Sequence, residues 1–141
     1  MGTLKRVIDS TDDLLNPAVV KVVTDTKGDA LYFSRAPIPL VRDNPQPHAV
    51  GGLHYIHLGL YIYTKETVLR FASLPTSRIE DAEKLEQLRA LDHGIRIRVW
   101  ETKHASLRVD RPEDVSDVAE RLQEYLAVKR ELKSSGMFFK G

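Results

Sequence analysis

The sequence predicts an α/β fold in which helices flank a mixed β-sheet, because strand-like and helix-like segments alternate along it. Three observations carry this prediction. Residues 19–24, dense in β-branched side chains, and the apolar residues 30–33 flank a turn that ends in Gly28, which is typical of a hairpin. Residues 53–63 form an apolar run of strand length. A helix-capping pattern begins at Ser77.

The composition predicts one compact domain whose ligands bind at a local site. The chain has 141 residues, of which 42% are hydrophobic, enough for one core. We expect this domain to span residues 1–132, followed by a tail over 133–141. The formal net charge of +1 favours neither nucleic acid nor a membrane as partner. The absence of cysteine excludes disulfides and thiolate chemistry and fits a reducing cytoplasm.

The pattern of the first third of the chain predicts a short strand and a hairpin, with Arg35 following the hairpin. Residues 3–8 can form a short strand that enters at the sheet edge or in a loop, before a polar, turn-like cluster at 9–13. The hairpin follows. After it, Pro37 and Pro39 prevent the strand from continuing. Arg35 is therefore expected at the exit of the sheet, ahead of a loop over residues 42–52.

Residues 53–63 predict a central strand, because apolar side chains occur at both odd and even positions. Such a strand is covered on both faces. His57 and Tyr61 are four residues apart, so they project to the same side of an extended segment. Gly59 lies between them and leaves room for a ligand or another backbone. The alternative is that both polar residues are hydrogen-bonded parts of the core.

Two helices are predicted after the central strand. Residues 64–74 have a helical apolar spacing and an N-cap threonine, and Pro75 closes the segment. Ser77 and Glu80 form a capping box for the next helix, which is expected to run to Gly94. Its apolar stripe is Ile79, Ala82, Leu85 and Leu88. Glu86 and Gln87 lie inside this helix, where they are either solvated helix formers or part of a site.

The last part of the chain offers one candidate metal ligand. Residues 95–100 alternate apolar and basic side chains, which predicts a half-exposed strand with a positive outer face. A helix is expected from Pro112. Asp110, just before it, is either a helix cap or a hard oxygen ligand for Mg²⁺. The histidine spacing does not favour zinc, and the sequence contains neither a nucleophile elbow nor a phosphate-binding glycine loop.

Five motifs follow one another along the chain: NPAVVKVV at 16–23, ALYFSRAPIP at 30–39, HLGLY at 57–61, KLEQLR at 84–89 and VDRPED at 109–114. In this order they resemble the C-terminal half of the 3-deoxy-manno-octulosonate (Kdo) cytidylyltransferase, or CMP-Kdo synthetase, family. The resemblance extends from residue 2 to about residue 126. The family's nucleotide-binding signature Arg-Leu-Pro-Gly-Lys-Pro does not occur in this sequence.

The resemblance implies a fold and a reaction. The fold is the C-terminal part of a nucleotide-diphospho-sugar-transferase-like fold, without the N-terminal nucleotide-binding half. The family reaction is the Mg²⁺-dependent attack of the sugar acid's anomeric hydroxyl on CTP, which releases pyrophosphate. Asp110 would be one of two aspartates that hold the metal. The residues implied to line the sugar-acid pocket are His57, Tyr61, Glu86 and Gln87. Arg35 would lie on either the sugar-acid side or the dimer side of the cleft.

Three functional hypotheses follow from the resemblance. The first is a sugar-acid-binding and dimerisation portion of a cytidylyltransferase, inactive unless a nucleotide-binding half is supplied. A homodimer is expected because the hairpin and the central strand resemble the part of the family that forms its dimer. The second is a stand-alone, non-catalytic dimeric module that binds a sugar acid or a protein. The third is one chain of a split enzyme.

Overall fold

A five-stranded mixed sheet and four short helices organise the first part of the chain. The computed structural model describes residues 1–43 and 48–104, together with 115–116, 118–120, 122–123 and 126–127. The elements are β1 (Gly2–Val7), α1 (Thr11–Leu15), β2 (Lys21–Thr24), β3 (Ala30–Ser34), β4 (Tyr55–Ile62), α2 (Lys65–Ser73), α3 (Arg78–Glu83), α4 (Gln87–Asp92) and β5 (Arg98–Glu101).

Strand β4 lies in the middle of the sheet, whose order is β3-β2-β4-β1-β5. It pairs with β1 in antiparallel fashion, and β1 pairs with β5 in parallel. This confirms the mixed sheet and the central position of residues 53–63. Strand β1 lies between β4 and β5, so the expectation that the chain enters at a sheet edge is wrong. Both pairings of β1 are with strands far along the chain, which the pattern of residues 3–8 cannot indicate.

The hairpin of β2 and β3 forms as predicted, and its turn also contacts the far end of the sheet. The Asp25 carboxylate accepts backbone N–H bonds from Lys27 and Asp29, both at 2.8 Å, and Gly28 has a φ of 84°. Such a left-handed turn position favours glycine. The backbone of residues 28–30 bonds to β5, with Val99 N–H donating to the Gly28 carbonyl at 2.9 Å. The free edge of β5 is thereby covered.

Two apolar clusters hold the sheet. The larger one packs the hairpin against the helices and β5, with Val22, Phe33, Leu88, Ala90 and Ile97 fully buried. The smaller one packs α1 against β4. Burying side chains of this size contributes about 1.5–3 kcal/mol each. The described part of the sheet is therefore anchored from both sides.

Helix α1 occupies the polar cluster that was expected to be a turn. Ser10 caps it, and its hydroxyl accepts the N–H groups of Asp12 and Asp13. Acidic residues in the first turn stabilise a helix through its dipole. Leu14 is only 1% exposed and anchors the helix in the smaller cluster. The turn prediction for residues 9–13 is therefore wrong, because capping and one buried leucine outweigh the polar composition.

The helix predicted from Ser77 to Gly94 is two helices. The capping box of Ser77 and Glu80 is present as predicted. Helix α3 ends at Lys84, whose φ of 53° and ψ of 46° are left-handed, and α4 begins three residues later. We call residues 83–87 the α3/α4 corner. The single-helix prediction is wrong because the apolar spacing continues across a point where the backbone changes direction.

The second half of β4 is less covered than the sequence predicts. Leu60 and Ile62 are 60% and 69% exposed, so the expectation of cover on both faces holds only for the first half. Strand β2 pairs with β4 only at Lys21 and Ile56 in the part of the chain that is described. No described strand pairs with the same edge over residues 58–62. We call this stretch the open edge of β4.

Residues 105–141 belong to a second unit, separate from Met1–His104. Its described positions between 115 and 127 are helical, within the helix predicted from Pro112. The predicted domain boundary at residue 132 and the tail lie outside the described residues. Within the described ranges, no helix has both the length and the apolar character needed to cross a bilayer.

Candidate functional site

His57 and Tyr61 lie side by side on β4. Their ring centroids are 5.3 Å apart, with a tilt of 46° between the ring planes. This confirms the predicted projection to one side of the strand. A methyl group added at Gly59, between them, would meet no atom within 4 Å. Space at this glycine agrees with the sequence interpretation.

The two rings belong to a row of aromatic side chains, which we call the aromatic row. It begins in the core at Phe33, whose ring is 4.8 Å from that of His57 in an edge-to-face arrangement. It continues from Tyr61 to Tyr63 at 5.9 Å and ends at Phe71 of α2 at 6.3 Å. Such pairs are individually weak, but they fix ring orientation. The row therefore connects His57 and Tyr61 to the core at Phe33 and to helix α2 at Phe71.

Thr3 sets the orientation of the His57 ring, and sequence reasoning did not identify it. Its Oγ1 lies 2.9 Å from Nε2 of His57. The same hydroxyl donates to the carbonyls of Leu58 and Leu60, at 3.0 and 2.8 Å. Because carbonyl oxygens can only accept, they share the single proton of this hydroxyl, and Oγ1 is left to accept from Nε2 of His57. The register of the pairing between β1 and β4 shifts between Thr3 and Leu4. This shift brings the carbonyls of Leu58 and Leu60 to the Thr3 hydroxyl.

The hydroxyl of Tyr61 is buried and has no hydrogen-bond partner among the described residues. Burial raises its pKa well above the usual value, and the neighbouring Tyr63 and the carboxylate of Glu86 raise it further. Burial and Glu86 also raise the pKa of Tyr63. Both phenols are therefore neutral at physiological pH. A neutral phenol can donate one hydrogen bond, and the Tyr61 hydroxyl has no acceptor for it among the described residues.

Glu86 and Gln87 start helix α4, where the break after Lys84 places them. Glu86 is exposed and occupies the N-cap position without a side-chain capping bond. Its negative charge contributes to the raised pKa of both Tyr61 and Tyr63. Gln87 is only 5% exposed. Neither residue lies in the middle of a solvated helix, because the chain turns immediately before them.

Arg35 follows β3, as predicted, and its guanidinium contacts the α3/α4 corner. Nε donates to the Glu83 carbonyl at 2.8 Å, and an Nη donates to the Lys84 carbonyl at 3.4 Å. The other Nη donates to the carbonyl of Pro17 at 2.9 Å. The structure thus brings Arg35 to the segment that carries Glu86 and Gln87, through backbone carbonyls.

Asp110, the proposed magnesium ligand, lies outside the described residues. Magnesium sites use oxygen ligands, commonly one or two carboxylates together with phosphates and water. Among the described residues, no group of three or more histidine, cysteine, aspartate or glutamate side chains could hold a metal ion. The described residues therefore do not fit a magnesium ion by themselves.

Comparison with known proteins agrees with the resemblance seen in the motifs. The sequence model of the cytidylyltransferase family matches residues 1–97. The chain is 51% identical over 129 residues to the 3-deoxy-manno-octulosonate cytidylyltransferase of Geobacter sulfurreducens, covering 87% of this chain and 52% of that protein. It is 52% identical over 128 residues to the enzyme of Syntrophotalea carbinolica, covering 87% and 51%. The chain spans about half the length of these curated relatives.

A solved structure has the same fold. It is described as CMP:2-keto-3-deoxy-manno-octonic acid synthetase complexed with CTP. The superposition has a TM-score of 0.75 at 39% sequence identity, and it covers 87% of this chain and 49% of that one. The family match includes β1 to β4 and all four helices, and therefore the aromatic row and the α3/α4 corner. This chain belongs to the cytidylyltransferase family.

Proposed function

We propose that this chain is the sugar-acid-binding portion of a CMP-Kdo synthetase-like cytidylyltransferase and corresponds to the C-terminal half of that fold. The observation that carries the proposal is the buried, unpartnered hydroxyl of Tyr61. It lies beside His57 and within the electrostatic influence of Glu86. The similar proteins are named as Kdo cytidylyltransferases, which supports Kdo as the sugar acid.

The chemistry of the site suits a polyhydroxylated acid. Glu86 is an exposed carboxylate that can accept hydrogen bonds from sugar hydroxyls. Tyr61 can donate to an oxygen of the ligand, and Gln87 can both donate and accept. His57 holds its orientation through Thr3. We propose that Arg35 borders the same pocket from the corner side.

Cytidylyl transfer requires a nucleotide-binding part in addition to these residues. The sequence contains no phosphate-binding glycine loop and no Arg-Leu-Pro-Gly-Lys-Pro signature. The open edge of β4 presents backbone groups that a further strand could pair with. We propose that residues 1–141 alone do not catalyse the transfer, and that a nucleotide-binding part adds a strand at this edge. Asp110 would then contribute one carboxylate to a Mg²⁺ site that the other part completes.

A homodimer is the second element of the proposal. Strand β3 forms one border of the described sheet, and its Leu31 is 61% exposed. An edge strand with an exposed apolar residue can pair with a second copy across a two-fold axis. Sedimentation velocity of the chain and of Leu31→Lys tests this, since the variant should shift a dimer to monomer. A wild-type chain that sediments as a monomer at high concentration would disprove it.

Ligand titration tests the binding proposal. Kdo is titrated into the ¹⁵N-labelled chain, with mannose as a neutral control sugar. We expect Kdo-dependent shifts at the amides of Tyr61 and Gln87, a loss of binding in Glu86→Ala, and no loss in Glu66→Ala, an exposed glutamate of α2. Shifts that are equal for Kdo and mannose, or absent for both, would reject a sugar-acid site.

A turnover assay separates the three functional hypotheses. CTP and Kdo are incubated with the chain alone, and with the chain plus the part of a relative that it does not cover. Pyrophosphate release by the chain alone would contradict the proposed inactivity. Release only after the second part is added would identify a split enzyme. Kdo binding without turnover in either mixture would favour the non-catalytic binding module.

A further inference from the structure

A single carboxylate connects the end of β3 to the α3/α4 corner. Glu83 is the last residue of α3. Its Oε1 accepts the hydroxyl of Ser34 at 2.6 Å, and its Oε2 accepts the backbone N–H of Arg35 at 2.9 Å. Ser34 is only 2% exposed. Bonds to an ionised acceptor in such surroundings are about twice as strong as bonds between neutral groups.

Arg35 closes this connection from the other direction. While its N–H donates to the Glu83 side chain, its Nε donates to the Glu83 carbonyl at 2.8 Å. The side chain of each residue therefore binds the backbone of the other. Because the corner carbonyl of Lys84 also accepts from Arg35, the backbone after α3 is fixed at two successive residues.

Lys21 fixes the strand end on its other side. Its side chain is fully buried, and Nζ donates to the carbonyls of Asn16, Val19 and Arg35 at 3.0, 2.6 and 2.5 Å. An ammonium group has three protons, and these contacts use all of them. The backbone at Arg35 is consequently held by Lys21 on one side and by Glu83 on the other.

The corner leads directly to the proposed ligand-binding residues. After the left-handed Lys84, the Leu85 N–H donates to the Glu80 carbonyl at 3.3 Å. Leu85 itself is buried in the larger apolar cluster. Glu86 and Gln87 follow immediately. Their position relative to the aromatic row therefore depends on where the corner is attached to the end of β3.

We propose that Glu83 is a positioning residue: its carboxylate attaches the α3/α4 corner to the end of β3 and thereby fixes where Glu86 and Gln87 lie. Glu83 sets the affinity for the sugar acid without contacting it. This inference rests on the proposed function for its effect on binding. Its structural component, the placement of the corner, does not require that any ligand binds.

The test compares Glu83→Gln with Asp81→Asn. Glutamine keeps the size of the side chain, but one of its two terminal atoms donates and cannot accept from Ser34 or Arg35. Asp81 is an exposed carboxylate of the same helix, paired with Lys84 at the surface, so it controls for a change of local charge. Ser34→Ala removes one of the two donors and provides a milder variant if Glu83→Gln does not fold.

Two measurements are made on each variant. Without ligand, we expect the amide resonances of Glu86 and Gln87 to shift in Glu83→Gln and in Ser34→Ala, but not in Asp81→Asn. With Kdo, we expect the dissociation constant to rise about tenfold in Glu83→Gln, corresponding to about 1.4 kcal/mol, and less in Ser34→Ala. Asp81→Asn should bind as the wild type does.

The outcomes separate this inference from the proposed function. Unchanged Glu86 and Gln87 resonances in both Glu83→Gln and Ser34→Ala would overturn the positioning role, whatever Kdo does. Shifted resonances with an unchanged Kdo dissociation constant would show that Glu83 places the corner but does not set the affinity. A wild-type chain that does not bind Kdo would reject the proposed function and the affinity effect, while the ligand-free resonances would still decide whether Glu83 places the corner.

Discussion

The imidazole of His57 and the phenol of Tyr61 lie 5.3 Å apart on one strand, and only the imidazole has an identified hydrogen-bond partner, Thr3. The Tyr61 hydroxyl is buried without one among the described residues. A buried polar group without a partner has a free-energy cost, which a ligand can remove. This difference between the two residues motivates the first prediction.

Tyr61→Phe should separate stability from binding. Removing an unsatisfied buried hydroxyl should change the free energy of unfolding by less than about 1 kcal/mol, since no hydrogen bond is lost. Loss of the ligand's donor should raise the Kdo dissociation constant about tenfold. Urea unfolding and calorimetric titration measure the two quantities, with Tyr32→Phe as the control. A variant that binds Kdo as the wild type does would exclude the hydroxyl from the site.

Gly59→Ala should fold normally and bind more weakly. A methyl group at this position meets no atom within 4 Å, and alanine loses less backbone entropy on folding than glycine. The free energy of unfolding should therefore stay equal or rise by about 0.5–1 kcal/mol. If the space belongs to the ligand, the methyl group should reduce Kdo affinity in the same titration. Unchanged affinity would place the ligand elsewhere.

Lys21→Met should destabilise the protein strongly. The substitution keeps the apolar stem but removes the ammonium group, so the carbonyls of Val19 and Arg35 lose this donor and that of Asn16 keeps only the Val19 N–H. We expect a loss of about 2–4 kcal/mol in the free energy of unfolding. Urea unfolding measures it, and Lys27→Met in the exposed hairpin turn is the control. Equal stability of the two variants would show that the buried ammonium does not stabilise the segments at Asn16, Val19 and Arg35.

Glu80→Gln should lower the free energy of unfolding at neutral pH and should also weaken the fall of that free energy at acidic pH. Glu80 accepts two bonds from Arg89, at 2.8 and 2.5 Å. Arg89, chiefly through hydrogen bonding, lowers the pKa of Glu80 below the ordinary 4.5. A carboxyl with a lowered folded-state pKa contributes its full stability above the unfolded-state pKa and loses it as the pH falls through the folded-state value.

Wild-type stability should therefore decline below about pH 4.5, and Glu80→Gln should show a smaller decline over the same range. At pH 7 the variant should be less stable by about 1–3 kcal/mol, because a charged hydrogen-bonded pair is broken. Urea unfolding at pH 7, 5, 4 and 3 provides the measurement, with Glu66→Gln as the exposed control. Parallel pH profiles for wild type and Glu80→Gln would contradict the assignment.

Features that have local causes can be predicted from the sequence alone. The hairpin of β2 and β3 depends on a turn motif, and the capping box of Ser77 and Glu80 depends on a spacing of three residues. The common side of His57 and Tyr61 follows from the alternation of side chains along a strand. Each of these is decided by neighbours in the chain, so a pattern of residues is enough to predict it.

How these features meet depends on contacts between segments that are far apart in the chain. The contact of Thr3 with His57 joins residues 54 positions apart, and the break at Lys84 is held by Arg35, which comes from the end of β3. The apolar spacing continues across that break, so periodicity predicts a single helix where long-range hydrogen bonds hold a corner. The candidate site depends on this corner, because hydrogen bonds between distant segments, rather than local preference, determine where Glu86 and Gln87 lie.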